Sequence, residues 1–180
     1  AEGYGLFICG SWHGWSGNPH AEQNLLRARE AGMLTGTYTY LQPGLSGAAA
    51  VHNARLYCGA EWDHLLFCAI DAEREVFAPW LEIIRSALSQ LTIESKDGAK
   101  ILYTRRNWYN QYVLAEAPGT DFTECALWLA DYDEDPTLDP PNLDGWTVST
   151  AKQYDGTYPG HIPTVGGVAV DLNVFDDKWV

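Results

Sequence analysis

The sequence predicts an α/β fold, a barrel of parallel strands that lacks its first unit. Short apolar runs alternate with helical patterns over the first two thirds of the chain, the order produced by parallel strands joined through crossover helices. The last third keeps the strands but loses the helices, which are replaced by Gly/Pro-rich loops. Counted through, the pattern gives seven strands and four helices, one unit short of a closed barrel.

The elements follow in order. A first strand over residues 5–10 runs through a Trp/Gly-rich loop into a helix opened by Asn18-Pro19 and closed by Gly32. A second strand, 35–41, carries Tyr38 and Tyr40 on alternate positions, and a helix is expected over 46–59. The run 65–71 is almost wholly apolar, as a strand covered on both faces should be. Phe77, Trp80, Leu81, Ile84, Leu88 and Leu91 recur at three and four residues, which marks the strongest helix, with Pro79 tolerated in its first turn. Residues 100–105 form a strand, 107–115 a short helix and 126–131 a fifth strand; two more strands are expected at 147–154 and 168–175. Residues 131–144 hold six acids, three prolines and no base, and read as a solvated loop.

Composition narrows the partners. Eleven basic against twenty-four acidic residues give a net charge of −13, which excludes nucleic acid and disfavours anionic membranes. With 46% hydrophobic and 19% charged residues the chain is expected to fold as a single domain over 1–180 around one core. No stretch approaches the roughly 18 apolar residues of a membrane span, so no membrane insertion is expected, and no basic-then-apolar signal peptide opens the chain. The start at Ala1 rather than Met suggests a truncated or processed N-terminus. Cys9, Cys58, Cys68 and Cys125 show no zinc-site spacing; Cys9 and Cys68 lie in apolar runs as small core residues, while the even count is also compatible with disulfides. The histidines at 13, 20, 52, 64 and 161 show no ligand spacing, so neither a metal nor a cofactor is expected.

In a parallel β/α barrel the reacting groups gather at the C-terminal ends of the strands. Asp71 and Glu73 end the most apolar strand two residues apart, so both face the barrel mouth. Two carboxyls in one half-buried site repel, which raises the pKa of at least one and keeps a proton for a leaving group. Glycoside hydrolysis needs such a pair. Aromatics make up 13% of the chain, and Trp12, Trp15, Tyr38, Tyr40, Trp128 and Tyr132 all fall within or just after strands, where a sugar could stack. Part of this set is expected to fill the core instead.

Several segments together carry a resemblance. They are Ala28-x-x-Ala31-Gly32-Met33-x-x-Gly36-x-Tyr38, Asp71-x-Glu73, Ile101-Leu102-Tyr103-Thr104, Leu127-Trp128-Leu129-Ala130-x-Tyr132, Gln153-Tyr154 and the closing Val170-Asp171-Leu172-Asn173-Val174-Phe175. In order and spacing the chain resembles the family 25 glycoside hydrolases, the Chalaropsis-type lysozymes, over nearly its whole length. The resemblance implies a TIM-like (β/α)5(β)3 barrel and cleavage of the β-1,4 bond between N-acetylmuramic acid and N-acetylglucosamine in peptidoglycan. It implies Glu73 as general acid. Asp71 would be its partner, either orienting the substrate's N-acetyl group or stabilising the cationic intermediate. Asp171 and Tyr38 would line the cleft. It also implies a wall-directed protein, secreted or phage-encoded and endolysin-like, with peptidoglycan glycan strands as partner and a flanking wall-binding or assembly module.

Two departures accompany the resemblance. The family opens with an aspartate-bearing strand that nothing before Gly5 supplies, so the active site is expected to be incomplete and the barrel open. The family's Trp-Gln-Tyr reads Lys152-Gln153-Tyr154 here. A muramidase is therefore the leading expectation, and a glycan-binding or structural member of the same fold the alternative. An acidic chain meets an anionic wall unfavourably, which favours an attached targeting domain or high salt.

Overall fold

A computed structural model describes residues 3–94, 99–122 and 124–178. Ala1 and Glu2, on which the expectation of a processed start rests, lie outside the described residues. The elements are β1 (Leu6–Trp12), α1 (Ala21–Glu30), β2 (Leu34–Tyr40), α2 (Gly47–Cys58), β3 (Phe67–Asp71), α3 (Trp80–Glu94), β4 (Ala99–Arg105), α4 (Arg106–Tyr109), β5 (Ala126–Ala130), β6 (Ala151–Asp155), β7 (Thr164–Val165), β8 (Val168–Ala169) and β9 (Leu172–Phe175). Seven strands form one curled sheet in the order β1-β2-β3-β4-β5-β6-β9, parallel from β1 through β6 and antiparallel between β6 and β9. Strands β1 and β9 are its two edges, and no pairing joins them among the described residues. The sheet is thus a barrel left open on one side.

Alternation along each strand separates two apolar layers. Phe67, Ala69, Ile101, Tyr103, Trp128 and Ala151 fill the inside of the curl. Cys68, Ile70, Leu102, Leu127 and Leu129 point outward to the helices, meeting Leu25, Val51, Ile84, Leu88 and Leu91. Helix α2 begins where Ser46 accepts a hydrogen bond from the Ala49 N–H. Its Gly47 permits the close approach of α3, because a Cβ there would lie 2.0 Å from the Ile83 carbonyl oxygen. The four cysteines are free and buried, so they serve as core residues.

Some expected boundaries shift. Helix α3 starts at Trp80, with the Pro79 carbonyl accepting from Ile83, so Phe77 lies outside the helix and is 84% exposed, its ring tilted on that of Tyr112 at 5.1 Å. The helix expected at 107–115 is a short α4 followed by a π turn over Asn110–Leu114. The strand expected at 147–154 begins at Ala151. The one expected at 168–175 divides into β8 and β9, because β8 pairs back on β7 through Gly166-Gly167, both at positive φ. Two glycines between short β-prone dipeptides are a tight-hairpin signal.

Candidate active site

The strand parity that buries Phe67 and Ala69 inside the curl also turns Asp71 inward at the C-terminal end of β3. Its neighbours across the ladder are Tyr40 on β2 and Tyr103 on β4. Asp71 is only 7% exposed, and its Oδ1 has no hydrogen-bond partner. Burial, then the charge of Glu73, pushes its carboxyl well above the usual carboxylate range, while Arg105 pulls it down.

Beyond Asp71 the backbone is held to β4. The Ala72 N–H donates to the Tyr103 carbonyl at 3.0 Å, and the Thr104 hydroxyl donates to the Ala72 carbonyl at 2.8 Å. Glu73 therefore leaves the strand in a fixed direction, half-buried at the mouth. Burial raises its pKa, the Arg105 guanidinium lowers it, and the charges of Asp171 and Glu75 raise it again. The charge of Glu73 thus bears on the buried Asp71 carboxyl beside it.

The other strands complete the rim. Tyr38 stands between Gly10 and Ala69 in the ladder, and burial followed by the charges of Asp71 and Asp171 pushes its hydroxyl up to about 12. It therefore stays a neutral donor. Tyr40 is raised by burial and then by Asp71. The Gln153 Oε1 accepts from both the Tyr103 and Tyr132 hydroxyls, drawing β4, β6 and the loop after β5 together. Asp171, exposed just before β9, has its Oδ1 beside Gly156, where a Cβ would sit 3.1 Å away. The same Cβ would meet the Tyr132 ring at 3.2 Å.

The structure thus brings Asp71, Glu73, Asp171, Tyr38, Tyr40 and Tyr132 to one mouth. The tryptophans separate. Trp15 is 68% exposed in the loop after β1. Trp128 is 4% exposed beneath the mouth, its indole N–H donating to Asn173 Oδ1 at 3.1 Å, so it packs the barrel rather than offering a stacking face. Trp12 turns away from the cleft. An irregularity between Gly10 and Trp12 shifts its register, and its ring packs on Tyr57 of α2 at 6.0 Å.

Other residues at the mouth were not singled out by the sequence. His13 lies edge-on to Tyr38 at 6.3 Å, and Arg105 reaches Glu73 from the end of β4. A basic residue at the end of a barrel strand is the signal for Arg105, and it is weak. The Lys152 departure finds its reason in the acidic segment. Its ammonium, on a side chain only 3% exposed, lies 2.7 Å from Asp133 Oδ2 and 3.6 Å from Asp139 Oδ2. The 131–144 loop is therefore anchored to the barrel. No group of His, Cys, Asp and Glu among the described residues could hold a metal ion.

The family described as glycosyl hydrolases family 25 matches residues 12–161. Solved structures with a similar fold include the muramidase of Acremonium alcalophilum, at 22% identity and TM-score 0.69 over 95% of this chain and 81% of that one. A family 25 glycosyl hydrolase of Bacillus anthracis aligns at 16% identity and TM-score 0.74, over 98% of this chain and 81% of that one. The modular autolysin of Streptococcus pneumoniae, solved with a synthetic peptidoglycan ligand, aligns at 16% identity and TM-score 0.64, over 96% of this chain and 41% of that one. No curated protein matches the chain.

Proposed function

The chain belongs to glycosyl hydrolases family 25 and is a glycoside hydrolase, and from that premise we propose that it cleaves peptidoglycan at the β-1,4 bond between N-acetylmuramic acid and N-acetylglucosamine. The observation that carries the reading is the placing of two acids two residues apart at the C-terminal end of β3, Asp71 buried and Glu73 half-buried. Muramidase and autolysin structures with the same fold support peptidoglycan as the substrate.

In this reading Glu73, the more accessible carboxyl, gives its proton to the glycosidic oxygen as the bond to the anomeric carbon breaks. The bonding electrons leave with that oxygen. Asp71, buried and without a partner for Oδ1, either orients the N-acetyl group of the substrate or faces the cationic centre; each role uses a buried acceptor with no hydrogen-bond partner of its own. Tyr38, Tyr40 and Asp171 line the cleft, and Trp15 and Tyr132 offer faces for sugar stacking. Residues 1–180 act as a single barrel domain, directed to the cell wall.

One observation favours a second reading, a glycan binder without hydrolysis. Arg105 lies 3.2 Å from Glu73 and opposes its protonation. Incubation with purified peptidoglycan separates the two. A muramidase releases reducing ends that borohydride converts to muramitol, the alditol of muramic acid, and Glu73→Gln lowers the rate by about 10²-fold or more. Co-sedimentation with the wall and no reducing ends would establish the binder.

A further inference from the structure

Arg105 ends β4 and turns its side chain back across the 71–75 segment. Its Nη2 donates to the Glu73 carbonyl at 3.1 Å and to Glu75 Oε1 at 3.2 Å. Its Nε lies 3.2 Å from Glu73 Oε2, yet this buried N–H is not aligned for a hydrogen bond with any acceptor. The contact with the Glu73 carboxylate is therefore one of charge. The firm bonds go to the Glu73 backbone and to Glu75. One cation is shared by two carboxylates, of which Glu75 is 69% exposed and Glu73 only 26%.

The groups facing Glu73 are few. Asp71 stands behind it on β3, Tyr38 and Tyr40 on β2, Tyr103 on β4, Tyr132 beyond β5 and Asp171 before β9. Arg74 and Glu75 share its own segment. Against these acids and neutral hydroxyls, Arg105 is the cation in contact with the Glu73 carboxylate among the described residues. A proton donor must hold its proton until the bond breaks, and a fixed cation beside it works against that. A second carboxylate drawing on the same cation relieves it.

We propose that Arg105, shared between Glu73 and Glu75, is a positioning residue that fixes the direction of Glu73 and sets the pH at which it carries its proton, with Glu75 as the competing acceptor. This rests on Glu73 being the proton donor. The alkaline limb of the pH-rate profile then belongs to Glu73, since activity is lost as its proton leaves. Removing the cation moves that limb up, and removing the competitor moves it down.

The test is a pH series of kcat/KM on peptidoglycan fragments, with a ¹³C-carboxyl NMR titration of Glu73 assigned by its disappearance in Glu73→Gln. Arg105→Gln is expected to raise both the limb and the midpoint by on the order of half a pH unit or more, the partly exposed side chain tempering the effect. Glu75→Gln, a surface change, is expected to lower both. Arg105→Lys keeps the charge and should stay nearer the parent protein than the glutamine variant. A merely structural Arg105 would leave the limb and midpoint in place in both variants, or move them in the same direction, and either result overturns the proposal. Full turnover by Glu73→Gln would instead remove Glu73 as donor, a failure of the functional reading that the titration reports separately.

Discussion

The Lys152 ammonium lies 2.7 Å from Asp133 Oδ2 while its side chain is only 3% exposed. The carbonyl of Thr137 accepts a further bond from it at 3.3 Å, so a lysine rising from β6 reaches into the loop after β5. A buried ammonium is tolerated when carboxylates and carbonyls surround it. Residues 131–144, so acidic that they read as a solvated loop, are fixed to the barrel by this contact and by the Arg106 side chain, which donates to the Pro141 carbonyl at 3.0 Å.

Lys152→Met keeps the stem but removes the charge, and should lower stability at pH 7 by about 1–2 kcal/mol. The hydrogen bond from Lys152 holds the Asp133 carboxyl below its ordinary range. A carboxyl lowered in the folded state adds stability above its unfolded pKa and loses it as pH falls through the lowered value. Denaturant melts at pH 7 and at pH 3 should therefore differ less in the variant. An equal difference in both proteins would remove this pair as a source of acid sensitivity.

Trp15 and Trp12 stand three residues apart and should respond in opposite ways. Trp15→Ala should weaken co-sedimentation with glycan strands and leave the melting temperature within a few degrees, because the ring is 68% exposed. Trp12→Ala should cost about 2–3 kcal/mol, less than a fully buried tryptophan, through loss of its packing on Tyr57. A stable Trp12→Ala protein that no longer binds glycan would place Trp12 at the cleft.

The contrast between these tryptophans shows where the sequence could be read and where it could not. Period-two alternation in Phe67, Ala69 and Asp71 places an acid inside the curl, and the Asp71-x-Glu73 spacing follows from it without any tertiary knowledge. Applied to β1, the same rule would turn Trp12 inward with Leu6 and Ile8, but the irregularity after Gly10 reverses the side. Lys152 with Asp133 and Arg105 with Glu73 join residues 19 and 32 positions apart through long flexible side chains. No local propensity encodes such pairings.

Gly156 is expected to be required at the cleft for space alone. Alanine there would bring a Cβ to 3.1 Å from Asp171 Oδ1 and 3.2 Å from the Tyr132 ring, tighter than either contact tolerates without movement. Both neighbours lie at the rim, so they can shift at little cost to the fold. Gly156→Ala should lower kcat/KM on peptidoglycan by about 10-fold, with the melting temperature nearly unchanged. Unaltered kinetics would show that Asp171 and Tyr132 need no fixed position.

Asp71→Asn should separate stability from activity. The Asp71 carboxyl is buried, has no partner for Oδ1, and is pushed well above the ordinary carboxylate range by burial and then by Glu73. When the folded pKa lies above the unfolded one, the native state holds the proton longer, and the stability this brings is complete below the unfolded value. It is lost as pH rises through the folded value. Above the unfolded value, then, the buried carboxyl weakens the fold, and an uncharged amide of the same shape removes that cost. Asp71→Asn is expected to be unchanged or up to about 2 kcal/mol more stable at pH 7, with a flatter dependence on pH between the ordinary carboxylate range and neutrality. Its release of reducing ends should nevertheless fall by about 10²-fold or more, since neither orientation of an N-acetyl group nor stabilisation of a cation survives loss of the charge. Chemical denaturation at several pH values and the peptidoglycan assay on the same preparation check both halves. A variant that is destabilised at neutral pH would mean the carboxylate is held by favourable contacts, and one that hydrolyses at the parent rate would end the paired-carboxylate mechanism.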